Sequence, residues 1–214
     1  MKVLSVNIGK SKSVIIGNKK IKTGIYKKPV ADSVLVDYDG IVGDEQVDKS
    51  VHGGLWKAVY VYPYEHYTVW QNYFPNMELE YGAFGENITS QGLLENEICV
   101  GDILKIGTCR FVVTEPRIPC FKFNKKLNEP KAAKFMVENL LSGFYIKVID
   151  KGKIASENSI VIEQKGFGKI PISELNKFLL HKKMNSSQLT NILKIESVSP
   201  KIKLKISKRS YQAK

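Results

Sequence analysis

The feature that most restricts this chain is the punctuation of residues 1–164. Short runs rich in Val and Ile recur at Lys2–Ile8, Ser33–Val36, Trp56–Tyr62, Ile103–Ile106, Thr108–Thr114, Phe144–Asp150 and Ser159–Glu163, with Gly, Asn, Asp or Pro between them. Runs this short suit strands better than helices, and many alternate as half-buried strands do. Frequent short strands with turn signals predict a barrel or a strongly curved sheet. Two stretches break the pattern. Pro63–Phe74 and Pro130–Leu141 each open on proline, which suits the first helical position. The second carries Ala132, Phe135, Met136 and Leu140 at helical spacing and stops near Gly143, a suitable C-cap. The expected fold class is β-rich α+β.

After Glu163 the character changes. Gln164–Lys169 is a glycine-rich joint. Ser173–Lys182 reads as an amphipathic helix with Leu175, Phe178 and Leu179 inward. Ser186–Lys194 reads as a second helix with Asn185 as N-cap. A third segment opens on Ser199-Pro200, a good helix start, although Ile202, Leu204 and Ile206 alternate as in a strand. Helix is the favoured reading. The expected domains are a β-barrel over residues 1–164 and a small three-helix domain over 165–214, docked on the barrel or on a second subunit.

A chain of 214 residues, 43% hydrophobic and 25% charged, can bury a real core without disulfides or metal staples. No secretory signal opens it, and no run approaches the ~20 apolar residues of a membrane span. A cytoplasmic protein with no membrane partner is expected. The net charge of +12 invites a nucleic-acid reading, but of 33 basic residues only Arg110, Arg117 and Arg209 are arginines. Base-edge and phosphate recognition leans on the planar arginine fork, so no nucleic-acid partner is expected. An anionic small ligand remains compatible.

Three cysteines, Cys99, Cys109 and Cys120, form neither a C-x-x-C pair nor an even set. A disulfide framework or structural zinc site is therefore not expected. Cys109 shares a strand face with Phe111 and Val113 and reads as a small buried hydrophobe, as does Cys99. Cys120 differs. It follows the strand in Glu115-Pro116-Arg117-Ile118-Pro119-Cys120-Phe121-Lys122, where two prolines stiffen the chain and Arg117 and Lys122 favour a thiolate. A thiolate attacks electrophiles or ligates a soft metal. A structural loop cysteine is the alternative.

Other polar stretches admit two readings each. His52-Gly53-Gly54, after Gly43-Asp44-Glu45-Gln46, is either a tight turn or a phosphate-holding turn helped by Lys57. Gly82–Asn87, with Gly85, Glu86 and Asn87, is either a sheet corner or part of a ligand wall. His66, among aromatics, reads as a packed core histidine more than as a ligand. Gly101-Asp102 reads as a hairpin turn.

Together, Gly43-Asp44, His52-Gly53-Gly54, Lys57, Gly85-Glu86-Asn87, Gly101-Asp102 and Pro116-Arg117-x-Pro119-Cys120 resemble the MOSC domain, named after the C-terminal domain of molybdenum cofactor sulfurase. Their order is similar to that in stand-alone bacterial MOSC proteins of the YiiM type, which carry a C-terminal three-helix "3-alpha" domain. The resemblance implies a MOSC-type β-barrel and a molybdenum cofactor (molybdopterin). It implies Cys120 as molybdenum ligand and catalytic residue, with His52, Gly53, Gly54, Lys57, Gly85, Glu86, Asn87 and Arg117 around the cofactor. It further implies an oxidoreductase that reduces N-hydroxylated compounds such as 6-N-hydroxylaminopurine, with electrons from a partner flavoprotein reductase. A non-catalytic carrier of sulfur or cofactor, using a Cys120 persulfide, is the alternative. A homodimer is one assembly compatible with the sequence.

Overall fold

The structure, a computed structural model, describes residues 1–49, 53–181 and 185–211. Its strands are β1 (Lys2–Ile8), β2 (Lys12–Ile16), β3 (Lys19–Thr23), β4 (Lys28–Pro29), β5 (Val34–Asp37), β6 (Gly40–Ile41), β7 (Val59–Pro63), β8 (Ile88–Gln91), β9 (Ile103–Ile106), β10 (Cys109–Pro116), β11 (Phe144–Asp150), β12 (Gly152–Ile154) and β13 (Ile160–Gln164). Its helices are α1 (Glu65–Tyr73), α2 (Phe121–Leu127), α3 (Ala132–Glu138), α4 (Ile172–His181), α5 (Ser186–Lys194) and α6 (Pro200–Tyr211). The fold is β-rich α+β, as expected from the strand punctuation.

Eight strands form one mixed sheet in the order β13-β9-β10-β11-β7-β8-β1-β4. Among the described residues only β7 and β8 pair in parallel, and α1 lies in the crossover between them, the kind of connection that parallel neighbours require. Register shifts interrupt the ladders of β10 with β11, β1 with β8 and β13 with β9. Such irregularities bend strands, and the sheet curls until its far end returns to β1. There Val3 donates to the Asn158 carbonyl at 2.9 Å, Glu157 to Val3 at 2.8 Å and Ile160 to Met1 at 2.9 Å. This stitch replaces a full ladder, so among the described residues the sheet is a curled one and not a closed barrel.

One core gathers mostly Val, Ile and Leu from nearly every strand of the large sheet. A second cluster, mostly aromatic, lies under α1, α2 and α3 and includes Tyr60, Tyr62, Trp70, Phe84, Phe123 and Tyr145. The C-terminal helices share the first core through Leu175, Phe178, Ile192, Ile202 and Ile206. Asp102 does more than the expected turn. Its buried carboxylate accepts from Cys99 N at 2.9 Å and Gly166 N at 2.7 Å, and meets Lys165 Nζ at 3.0 Å, tying the glycine-rich joint to the sheet.

Several local features depart from the sequence reading, among them α3, which begins at Ala132 and not at Pro130 and ends at Glu138, before Gly143. Pro63 closes β7 instead of opening a helix, since a strand end tolerates a missing donor, and α1 begins at Glu65. The hairpin of β2 and β3 was hidden in a lysine-rich stretch whose faces are mostly exposed. Helix α2 begins directly after Cys120, where the sequence suggests only a stiff segment following the strand. The last segment is a helix, as favoured. Asn185 forms the capping box of α5 with Gln188.

The alternation in α6 resolves by helical geometry. Ile202 and Ile206, four apart, face the core, whereas Leu204 is 57% exposed. Ile206→Ala should therefore cost about 2–5 kcal/mol, and Leu204→Ala no more than about 0.5 kcal/mol, in urea unfolding. Equal losses would contradict this orientation.

Candidate active site around Cys120 and Arg117

The site begins where β10 ends. Pro116 pairs with Phe144 of β11, and the next residue, Arg117, donates its N–H to the Gly143 carbonyl at 3.4 Å. Gly143 has φ +57°, and a Cβ there would collide with the Val61 carbonyl and the rings of Tyr60 and Tyr62, so only glycine suits this corner. Its N–H donates to Glu95 Oε1 at 2.6 Å, and Glu95 Oε2 meets His66 Nε2 at 2.7 Å. His66 is thus a satisfied core histidine that helps hold the corner.

This corner drives the Arg117 side chain inward, leaving the residue 4% exposed. Its guanidinium carbon lies 5.0 Å from the Tyr60 ring centroid and 4.7 Å from that of Phe123, and Nη1 is 3.5 Å from Met136 Sδ. Among the described residues no carboxylate forms an ion pair with it. Burial works against its charge, while Tyr60, Tyr145 and Cys120 favour it, so its pKa stays above the ordinary arginine value. Rings and a thiol thus surround a buried cation.

Cys120 follows three residues later, as N-cap of α2. It is partly exposed, whereas Cys99 and Cys109 are buried. Burial pushes the Cys109 thiol up to about 11 and also raises Cys99, which keeps both inert. Cys120 lines a chamber of about 90 Å³ together with Lys57, Tyr60, Gly85, Asn87, Arg117 and Tyr145, and Lys122 stands at its wall. That volume is roughly three waters' share of liquid, enough for the reactive end of a ligand.

The lining also includes Lys27 and Asp44, neither of which the sequence singled out as a ligand. Lys27 and Asp44 form an almost buried ion pair. Asp44 also accepts from Gly9 N at 2.9 Å and from Asn87 Nδ2 at 3.0 Å. Asn87 Oδ1 in turn accepts from Tyr60 N at 3.1 Å, and its Nδ2 also donates to the Asn7 carbonyl at 3.3 Å, so Asn87 ties β7 and β1 to Asp44. Nothing local distinguishes Lys27 among so many lysines, and only the fold brings it to Asp44.

The expected site residues divide into two groups. Cys120, Arg117, Lys57, Gly85 and Asn87 meet at the chamber. Glu86 turns away. Its buried carboxylate accepts from Gly82 N at 2.9 Å, Phe84 N at 3.0 Å, Thr89 Oγ1 at 2.8 Å and the Tyr67 hydroxyl, and so fixes the corner that presents Gly85. Gly53 and Gly54 pack against Gln46, which lines the chamber, and Gly54 N donates to its Oε1 at 2.8 Å. His52 lies outside the described residues. Lys57 Nζ is 3.0 Å from Glu115 Oε1, while the buried Oε2 of Glu115 has no partner among the described residues.

Residues 48–161 match the MOSC domain. This chain belongs to the MOSC domain family. It is 34% identical over 197 residues to YflK, an uncharacterized protein of Bacillus subtilis, covering 92% of this chain and 89% of YflK. The crystal structure of YiiM from Geobacillus stearothermophilus superposes with a TM-score of 0.81 at 32% identity, covering 97% of this chain and 98% of that one. A Gibberella moniliformis protein named "Reductase" is 31% identical over 83% of this chain, which spans 32% of that longer protein. MOSC domains are associated with molybdenum cofactor binding. The donor set here fits such a group. A soft thiol and a buried cation without a carboxylate suit a thiolate-bound metal on an anionic cofactor. Among the described residues no cluster of three or more His, Cys, Asp or Glu could hold a metal, so protein ligation would rest on Cys120. No described helix is long and apolar enough to cross a membrane.

Lys126, near the other end of α2, gives the region a pH signature. Burial holds its pKa down to about 8 against the pull of Glu86, with Arg117, Lys27 and Lys12 adding repulsion. The unfolded chain keeps this proton up to the ordinary value of 10.5, whereas the folded chain releases it near 8. The unfolded state therefore binds more protons in that window, and stability contributed here rises with pH across it. Urea midpoints at about pH 7 and about pH 9.5 should show the wild type gaining on Lys126→Met at the higher pH. A wild type that loses ground would contradict the sign.

Proposed function

We propose that this MOSC protein is a molybdenum-cofactor-dependent oxidoreductase that reduces N-hydroxylated compounds such as 6-N-hydroxylaminopurine. The observation that carries this reading is the buried, carboxylate-free guanidinium of Arg117 beside the accessible thiol of Cys120. The name of the fungal relative supports the redox class. The overall change is R–NH–OH + 2 e⁻ + 2 H⁺ → R–NH₂ + H₂O. The two-electron chemistry belongs to the cofactor when it is bound.

The chain's own residues do three things in this scheme. Cys120 supplies a soft sulfur ligand at the wall of the small chamber. Arg117, with Lys57 and Lys122 nearby, answers the negative charge of cofactor and substrate in surroundings where water screens little. The clamp of Lys27, Asp44 and Asn87 and the buried Glu86 hold the walls, so the thiol and guanidinium keep their relative positions. Electrons come from a separate flavoprotein reductase. A homodimer is the assembly in which this chain would act.

Protein made in a molybdopterin-competent host should carry molybdenum and pterin and reduce 6-N-hydroxylaminopurine when given a reductant. Cys120→Ser should lose the metal and drop activity by more than the ~10–100-fold that a supporting residue costs. A serine variant with full molybdenum content and activity would sink the proposal.

A further inference from the structure

A second and larger cavity adjoins the Cys120 chamber and has no role in the scheme above. It measures about 1080 Å³, at the upper end for sites that hold small organic ligands. Lys27 lines both spaces, and α2 connects them: Cys120 at its start faces the chamber, whereas Lys126 and Leu127 at its end face the cleft. Five lysines, Lys10, Lys12, Lys27, Lys28 and Lys126, line this cleft against three glutamates.

The cations are crowded. Lys12 Nζ sits 3.6 Å from the Tyr26 ring centroid, with Lys126 Nζ 5.8 Å from the same ring. Lys126 donates to the Gly82 carbonyl, although an ammonium carries three donors. Its depressed pKa reflects burial and repulsion from Arg117, Lys27 and Lys12. Of the three glutamates, Glu129 already accepts from Lys131 N at 2.8 Å. Aromatic surface completes the cleft, with Tyr81 and the 61%-exposed Tyr73 among its walls. Lys10 and Lys27 are already paired with Glu45 and Asp44, which leaves Lys12, Lys28 and Lys126 beside flat rings for a ligand that is both anionic and planar. Phosphate suits lysine as a point charge, and a heterocycle suits a tyrosine face.

We propose that this cleft binds a nucleoside 5′-monophosphate, its phosphate on the lysines and its base on the tyrosines, so that the substrates are N-hydroxylated nucleotides in preference to free bases. The substrate assignment rests on the reductase reading, while nucleotide binding by the cleft does not. Lys27, which lines both spaces, marks where a base held in the cleft would meet the Cys120 chamber.

Adenosine 5′-monophosphate, adenosine and inorganic phosphate, titrated calorimetrically into the full-length protein, test the site without any redox assay. The monophosphate should bind at least ~10-fold more tightly than either of the other two. Lys28→Ala, on an exposed strand, and Lys126→Met should each weaken the monophosphate and leave adenosine unchanged. Equal binding of monophosphate and nucleoside, equal binding of monophosphate and phosphate, or wild-type binding by the Lys28/Lys126 double variant would overturn the proposal. With reductase assays added, kcat/KM should favour the N-hydroxylated monophosphate over the base. Loss of reduction for both forms, with nucleotide binding intact, would count against the reductase reading and leave the nucleotide site standing.

Discussion

A buried guanidinium needs a partner, and among the described residues Arg117 finds the rings of Tyr60 and Phe123, the Met136 thioether and the Tyr60 hydroxyl, with Tyr145 and Cys120 also favouring its charge. Stacking on rings returns about 0.5–2 kcal/mol, far less than desolvating a full charge costs. The arrangement persists because the corner above it is fixed by other means. Gly143 takes a conformation that only glycine tolerates there, Glu95 grips its N–H, and His66 grips Glu95. The β10–β11 ladder then delivers Arg117 to one place. Among the described residues no carboxylate pairs with this charge, and Arg117 lines the chamber next to Cys120.

The chamber walls show the same division of labour. Residues that touch the cavity are held by residues that do not. Glu86 saturates its oxygens on the turn that presents Gly85. Asn87 spends both side-chain groups on strand contacts while still facing the cavity, and Gln46 is held through Gly54. Residues that the family resemblance groups around a cofactor thus act at two distances. Lys57, Arg117 and Cys120 can meet a ligand, whereas Glu86 acts through backbone.

Much of this was legible in the sequence, because strands with a buried face must alternate or run apolar. Lys2–Ile8, Ile103–Ile106 and Phe144–Asp150 were read to the residue. The stiff, cationic setting of Cys120 was also visible, since proline and charge act locally. What escaped depends on distance or on weak local signals. Helix α2 hides in Phe121–Leu127, where Phe121 is exposed and only Phe123 is buried; the left-handed Asn128 that ends it was the available clue. The Lys27–Asp44 pair is seventeen residues apart in sequence and meets only because β1, β4 and β8 converge. Curling of the sheet rests on bulges that carry no sequence signature of their own.

A guanidinium kept for a ligand and not for stability should be dispensable to the fold. The direct measurement is the urea midpoint of the ligand-free Arg117→Met protein beside that of the wild type. Removing a buried charge in favour of an apolar chain of similar volume is often neutral or stabilising. The account predicts a midpoint unchanged or higher. A loss of more than about 2 kcal/mol would mean that the guanidinium holds the fold itself, and would contradict the claim.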